Sequence, residues 1–215
     1  MTHLSTRAAN TDTYKNFADL AAHETEGVDW SREVHRVPDS DLAHLAVHGG
    51  GIEVGTTEAA RAAAGSSHNY YSFQGRKKTS TNRVLHVTSS RFDEPTCESL
   101  QGEMTRTVSW HGFQGSAKVT EVGGLDLDLG LWITRSLRHA GFTVQTAAPE
   151  RAGQDPRNVC NRNLSGRGVQ LELSTAQRAA FFLNGDTSAA NRKNTTAEFD
   201  CFIEAVQLAY RRSRA

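Results

Sequence analysis

The stretch AHLAVHGGGIEVGTTE, residues 43–58, decides how this chain is read. Leu42, Leu45, Ala46 and Val47 make an apolar run of strand length, and His48 follows them into Gly49, Gly50 and Gly51 before Ile52 and Glu53. Short apolar runs feed parallel sheets, whose ligands gather beyond the carboxyl ends of the strands. Consecutive glycines permit backbone conformations closed to other residues, or a close approach to a ligand. Thr56 or Thr57 is then placed to cap a helix running through Glu58 to Ala64, which Gly65 would end. The stretch predicts strand, tight loop and helix, with a histidine and a carboxylate at the lip of a sheet, a placement suited to a metal ion.

Toward the N-terminus, residues 1–12 are polar and read as a flexible end. YKNFADLAAHE (14–24) spaces Phe17, Leu20 and Ala21 as an amphipathic helix, and residues 29–38 read as polar and irregular. Downstream, strands are expected at 69–74 (NYYSFQ), 83–89 (RVLHVTS), 107–112 (TVSWHG), 117–122, 142–146 and 169–173 (VQLEL). Helices are expected at 94–104, 125–139, from Thr175 to Leu183, and at 197–212, with a polar linker over 185–196. This alternation implies an α/β fold with a mixed, largely parallel central sheet flanked by helices. The expected organisation is a flexible N-terminus (1–12), an α/β domain (13–184), and a linker with a C-terminal helix (185–215) packing on that domain.

At 215 residues the chain can bury a substantial core. Its 37 % hydrophobic and 22 % charged residues exclude both a disordered chain and a membrane-spanning one. Lys plus Arg equals Asp plus Glu at 24 each, so no global charge draws it to nucleic acid or to an anionic membrane. Three widely spaced cysteines argue against a disulfide framework. No apolar h-region opens the sequence, so no secretory signal is expected; a cytoplasmic protein fits, or one released on host lysis if phage-encoded. A monomer is expected.

Three candidate ligands fall at strand ends: His48, Glu53 and His111. Two histidines and a carboxylate leave a fourth zinc position open, which is the catalytic pattern. On spacing alone a plainer reading stands beside it: a core histidine, a surface glutamate and a loop histidine. Glu172, between Leu171 and Leu173, points to the face opposite theirs; it is a solvated strand residue or, in a metal cleft, a general base. Asn158, Asn161, Arg162 and Arg167 are suited to gripping a substrate carboxylate, or are ordinary loop residues. Arg76-Lys77-Lys78 forms a local basic run, either a further substrate patch or a solvated turn.

The series VHGGGIEVGTTEAARAAAG, LHVTSSRFDEP, SWHG, VGGLD and NVCNRNLSGRGVQLELS, in that order, resembles the phage-type poly-γ-glutamate hydrolase family over roughly Tyr14 to Gln177. The resemblance implies a zinc peptidase of carboxypeptidase-like α/β fold that cleaves γ-glutamyl amide bonds, with an anionic γ-glutamyl polymer as its partner. It implies His48, Glu53 and His111 as Zn2+ ligands, Glu172 as catalytic base, and Asn161 and Arg162 as substrate-carboxylate binders. The wider carboxypeptidase clan sets its glutamate three residues after the first histidine. Here the gap is five, filled by glycines. Two alternatives remain from other classes: a zinc amidase or carboxypeptidase acting on peptidoglycan stem peptides, and a non-enzymatic interaction module retaining the fold.

Overall fold

A computed structural model describes residues 12–78 and 80–214. Of the expected flexible N-terminus, residues 1–11 lie outside the described residues. Asp12 does not behave as part of a frayed end: its buried carboxylate accepts hydrogen bonds from the His86 ring, the Thr88 backbone and hydroxyl, and Arg91.

Seven strands form one mixed sheet: β1 (Trp30–His35), β2 (Leu42–Gly50), β3 (Asn69–Gly75), β4 (Arg106–Phe113), β5 (Thr120–Gly124), β6 (Val144–Thr146) and β7 (Val169–Ser174), in the order β1-β3-β2-β4-β7-β5-β6. The pairs β2–β3, β2–β4, β4–β7 and β5–β6 are parallel, while β1–β3 and β5–β7 are antiparallel. Among the described residues six α-helices accompany them: α1 (Phe17–Ala21), α2 (Thr56–Ala64), α3 (Pro95–Gln101), α4 (Leu127–His139), α5 (Thr175–Ala180) and α6 (Ala197–Arg212). The expected mixed, largely parallel α/β architecture is the one observed. Among the described residues no helix is long and apolar enough to cross a membrane. Cys97, Cys160 and Cys201 are all free thiols.

Alternation along the central strands sorts the side chains into two cores. On one face Leu42 and Ala46 of β2, Val108 and Trp110 of β4, and Val169, Leu171 and Leu173 of β7 pack under the apolar sides of α2, α4 and α6. On the other, Ala43, Leu45 and Val47 meet an aromatic cluster of Phe17, Trp30, Phe73 and Phe92, closed by Cys97 and Leu100 of α3. That second core covers only the β1-β3-β2 side. Ser109 and His111 of β4, and Gln170 and Glu172 of β7, alternate with first-face residues and so lie on the second face beyond that core, where His111, Gln170 and Glu172 line a cleft.

Two expectations are corrected. Residues 29–38 are not irregular: β1 is an antiparallel edge strand in which only Trp30 is buried, so its solvated side hides the period-2 signal. Residues 83–89 are not a strand but a 3-10 turn, Ser80–Leu85, followed by extended chain without a ladder. Leu85 and Val87 still point into the aromatic core while His86 between them faces away, which gives a strand's alternation without a partner. Helices α1, α3, α4 and α5 and strand β6 are shorter at their ends than expected, α1 most of all. The expected linker 185–196 is tied down, with Thr195 bridged to Phe182 and Arg192 donating to Gly50 O and Glu58.

Candidate metal centre

The register of β2 against β3 runs Ala46↔Ser72 and then Gly49↔Gln74, so three residues of β2 span two of β3. This one-residue bulge reverses the alternation beyond it. Gly49 takes the α2 side, where an added Cβ would lie 2.2 Å from Thr57 Oγ1 and 2.8 Å from Phe73 O. His48 therefore turns to the face occupied by His111 and Glu172.

After His48 the chain makes a closed loop in which Glu53 N donates to His48 O at 2.8 Å. The helix that follows is capped differently from expectation. Gly55, in the left-handed region at φ 99°, is the N-cap, and neither threonine caps. Thr56 Oγ1 instead donates to Glu53 O and Thr57 Oγ1 accepts from Gly50 N; both fasten the loop that carries the glutamate.

His48 Nδ1 and His111 Nδ1 face one another at 3.1 Å. Glu53 Oε1 is 3.2 Å from the first and Oε2 is 3.5 Å from the second. The outer nitrogen of each ring is engaged, His48 Nε2 donating to Val87 O at 2.8 Å and His111 Nε2 pairing with Ser109 Oγ at 2.8 Å. Such partners fix ring orientation and leave the inward nitrogens as lone pairs. Three such groups converging in a buried place are suited to a cation between them. Zinc bonds of ~2.0–2.1 Å in a tetrahedron put ligand atoms about 3.3 Å apart, which matches the spacing here. The residues fit the ion.

Electrostatics agrees. Burial would raise the Glu53 carboxyl, but His48, with His111 beside it, holds it well below the usual carboxylate range. For His48 the burial that would lower its pKa is overridden by the Glu53 charge, and it is raised. For His111 burial prevails and the pKa is lowered. Glu172 is the direct register neighbour of His111 on one side and of Glu121 on the other. Burial, and next the negative charge of Glu53, pushes its carboxyl well above the usual range. Its Oε1 accepts from Gln170 Nε2 at 3.0 Å, and Gln170 Oε1 accepts in turn from Asn158 Nδ2 at 2.9 Å. His48, Glu53, His111, Asn158, Gln170 and Glu172 all face one cleft of ≈ 1130 Å³.

A sequence profile described as poly-gamma-glutamate hydrolase matches residues 14–205. The chain belongs to that family. It is 35 % identical over 199 residues to the UPF0714 protein YmaC of Bacillus subtilis (strain 168), covering 91 % of this chain and 83 % of YmaC. A solved bacteriophage poly-gamma-glutamate hydrolase superposes with a TM-score of 0.91 at 42 % identity, over 94 % of this chain and 98 % of the phage enzyme. The zinc-free apo form of YndL superposes with a TM-score of 0.88 at 33 % identity, over 95 % of this chain and 100 % of that one.

In this family member His48, Glu53, His111 and Glu172 come together as expected, but the expected carboxylate binders do not. Arg162 points away from the cleft, donating to Glu98 at 2.6 Å and to Phe92 O. Asn161 is buried behind the cleft wall, where it holds Gly153 O, Asp155 O and Gly168 N. Arg167 is exposed and does not line the cleft. Only Asn158 of that group borders it. Lys77, from the basic run, is paired with Glu24 and Asp29. A loop motif places such residues near one another in sequence without fixing which way each points.

Three cleft residues were not singled out in the sequence. His86 packs against His48 with ring centroids 4.0 Å apart and the planes tilted by 31°, and its Nε2 lies 3.9 Å from Glu53 Oε1 while Nδ1 meets Asp12 at 2.7 Å. Arg178, buried, spreads its guanidinium over three carbonyls, those of Leu173, Val54 and Phe113. Arg151 is held by Glu121. The alternation of Leu85, His86 and Val87 is the one trace that could have exposed His86.

Proposed function

We propose that this chain hydrolyses γ-glutamyl amide bonds of poly-γ-glutamate at a zinc site held by His48 Nδ1, His111 Nδ1 and the Glu53 carboxylate. The observation that carries the reading is the convergence of three acceptor groups at zinc-ligand spacing, with a buried carboxyl on the adjoining strand and family membership over residues 14–205. Zinc held this way supplies Lewis acidity and a bound water of pKa ~7.

The chain's own groups account for the rest. Glu172, aimed by the Gln170 amide, takes the proton of the attacking water as its oxygen bonds to the γ-carbonyl carbon. It then delivers that proton to the leaving nitrogen as the C–N bond breaks, giving a free γ-carboxylate and an amine and restoring the Glu172 carboxylate. An environment that raises the carboxyl's pKa suits a group that must hold a proton between two transfers. Positive side chains at the cleft, Arg83 and Arg151, offset the charge of a polymer with one free carboxylate per residue.

Incubating the zinc-loaded protein with poly-γ-glutamate, and in parallel with purified muropeptides, tests the substrate. Chain shortening of the former alone is expected. Glu172→Gln should lower turnover by about 10²–10⁴-fold while metal analysis shows zinc retained. Turnover at the parent rate would remove Glu172 as the base.

A further inference from the structure

Arg151 closes the 3-10 turn Pro149–Arg151 on the cleft wall, and its guanidinium is fixed on several sides. Nε and Nη2 each donate to the Glu121 carboxylate at 3.0 Å, and the Phe113 ring lies 4.7 Å from its central carbon. Glu121 is itself buried, and takes further hydrogen bonds from Gln145 and the Ala148 backbone. The remaining nitrogen, Nη1, donates at 2.9 Å to Glu150, whose side chain is 61 % exposed. Exposed ion pairs contribute little and exchange readily. One guanidinium thus has a permanent carboxylate partner in the wall and a replaceable one at the cleft.

We propose that Arg151 is the subsite for an α-carboxylate of the γ-linked substrate, and that Glu150 is the intramolecular carboxylate that fills it between turnovers. The inference rests on the activity proposed above. Each γ-linked glutamyl residue leaves its α-carboxylate free, and a guanidinium edge grips a carboxylate through paired N–H groups. The location agrees: Glu121, which anchors Arg151, is the direct cross-strand neighbour of the base Glu172, and side chains so paired stand about 5 Å apart at Cβ. A carboxylate held at Arg151 therefore lies in the same cleft as Glu172. The role expected of Arg162 passes to a residue 11 positions earlier (162 − 151 = 11).

The test compares two γ-linked glutamyl oligomers on the zinc-loaded full chain, one with free α-carboxylates and one with those groups amidated. The unaltered protein should prefer the free acid in kcat/KM by about 10- to 100-fold. Arg151→Met should erase that preference, chiefly by raising KM for the free acid. Arg151→Lys, which keeps the charge without the fork, should fall between them. Glu150→Gln should lower KM for the free acid by about 2- to 5-fold, and more than for the amide. Circular dichroism checks the fold, and Arg151→Lys carries the test if the methionine variant unfolds. Equal losses on both substrates in the Arg151 variants would show that the residue acts only through Glu121, and would overturn the subsite. A Glu150→Gln variant with unchanged or higher KM would overturn the exchange. If the unaltered protein cleaves neither oligomer, the proposed activity falls and takes this inference with it.

Discussion

Strand β2 carries two buried histidines, His44 and His48, four residues apart. In a regular strand they would share a face; here the bulge between Ala46 and Gly49 sends them to opposite ones. His44 lies under the helices, where its Nδ1 accepts from Trp110 Nε1 at 3.1 Å and burial lowers its pKa to about 3. It is neutral, satisfied and structural. His48 meets Glu53, whose charge raises its pKa despite equal burial. The contrast teaches that burial does not tell a candidate ligand from a core histidine. The partners do, and a single inserted residue chooses the partners.

The widest separation between the two should come from truncating each. His48→Ala should abolish zinc binding, and with it about 10³-fold or more of the activity. His44→Ala should keep one zinc per chain and lose about 1–3 kcal/mol of stability, because the buried Trp110 N–H is left without its acceptor. Metal analysis beside thermal unfolding reads both, and zinc loss in His44→Ala would break the comparison.

The bulge itself can be attacked at Gly49. A methyl there meets Thr57 Oγ1 and the Phe73 carbonyl, so Gly49→Ala should cost about 1–3 kcal/mol and weaken zinc binding by displacing His48. A variant with parent stability and zinc affinity would show that the register shift is not what aims His48.

The smallest effect is expected at Asp12, which orients the His86 ring packed against His48. Burial works against its charge, yet hydrogen bonds from His86 and Thr88 hold its carboxyl well below the usual range. Because the folded-state value lies below the unfolded ~3.9, ionised Asp12 stabilises the fold above that pH, and the contribution drains away as pH falls through the folded value. Asp12→Asn should therefore cost about 1 kcal/mol at neutral pH, the deficit shrinking in strong acid. Chemical denaturation across pH measures it, and a deficit that grows on acidification would contradict the assignment.

How much of this was legible in the sequence depended on what reports each element. Residues buried on both faces read clearly: β2, β4 and β7 lie close to where apolar runs put them, and α6 was found at its observed ends. Edges did not. β1 buries one side chain in six and carries no alternation, and the chain at Leu85–Val87 alternates without joining the sheet. At the site, His48, His111 and Glu172 end or interrupt apolar runs and Glu53 follows the glycine loop, but a plainer reading stood beside each on spacing alone, and it was the family resemblance that singled them out. Arg151 and Arg178 were not singled out, since a positive side chain in a turn or short helix looks like any solvated one until its partners, here Glu121 and three carbonyls, are seen. Arg162 shows the reverse error: a motif supplied the right residue type on a loop that aims it at Glu98.

The guanidinium of Arg178 has a wider consequence. By bonding Val54, Phe113 and Leu173 at once, it rivets the segment after Glu53, the strand end after His111 and the strand of Glu172 into a single body. Imidazoles and carboxylate are then gathered in advance of any ion, so loading should be a docking event, largely uncoupled from folding. Chelation should accordingly yield an inactive protein that keeps its shape and recovers as soon as metal returns.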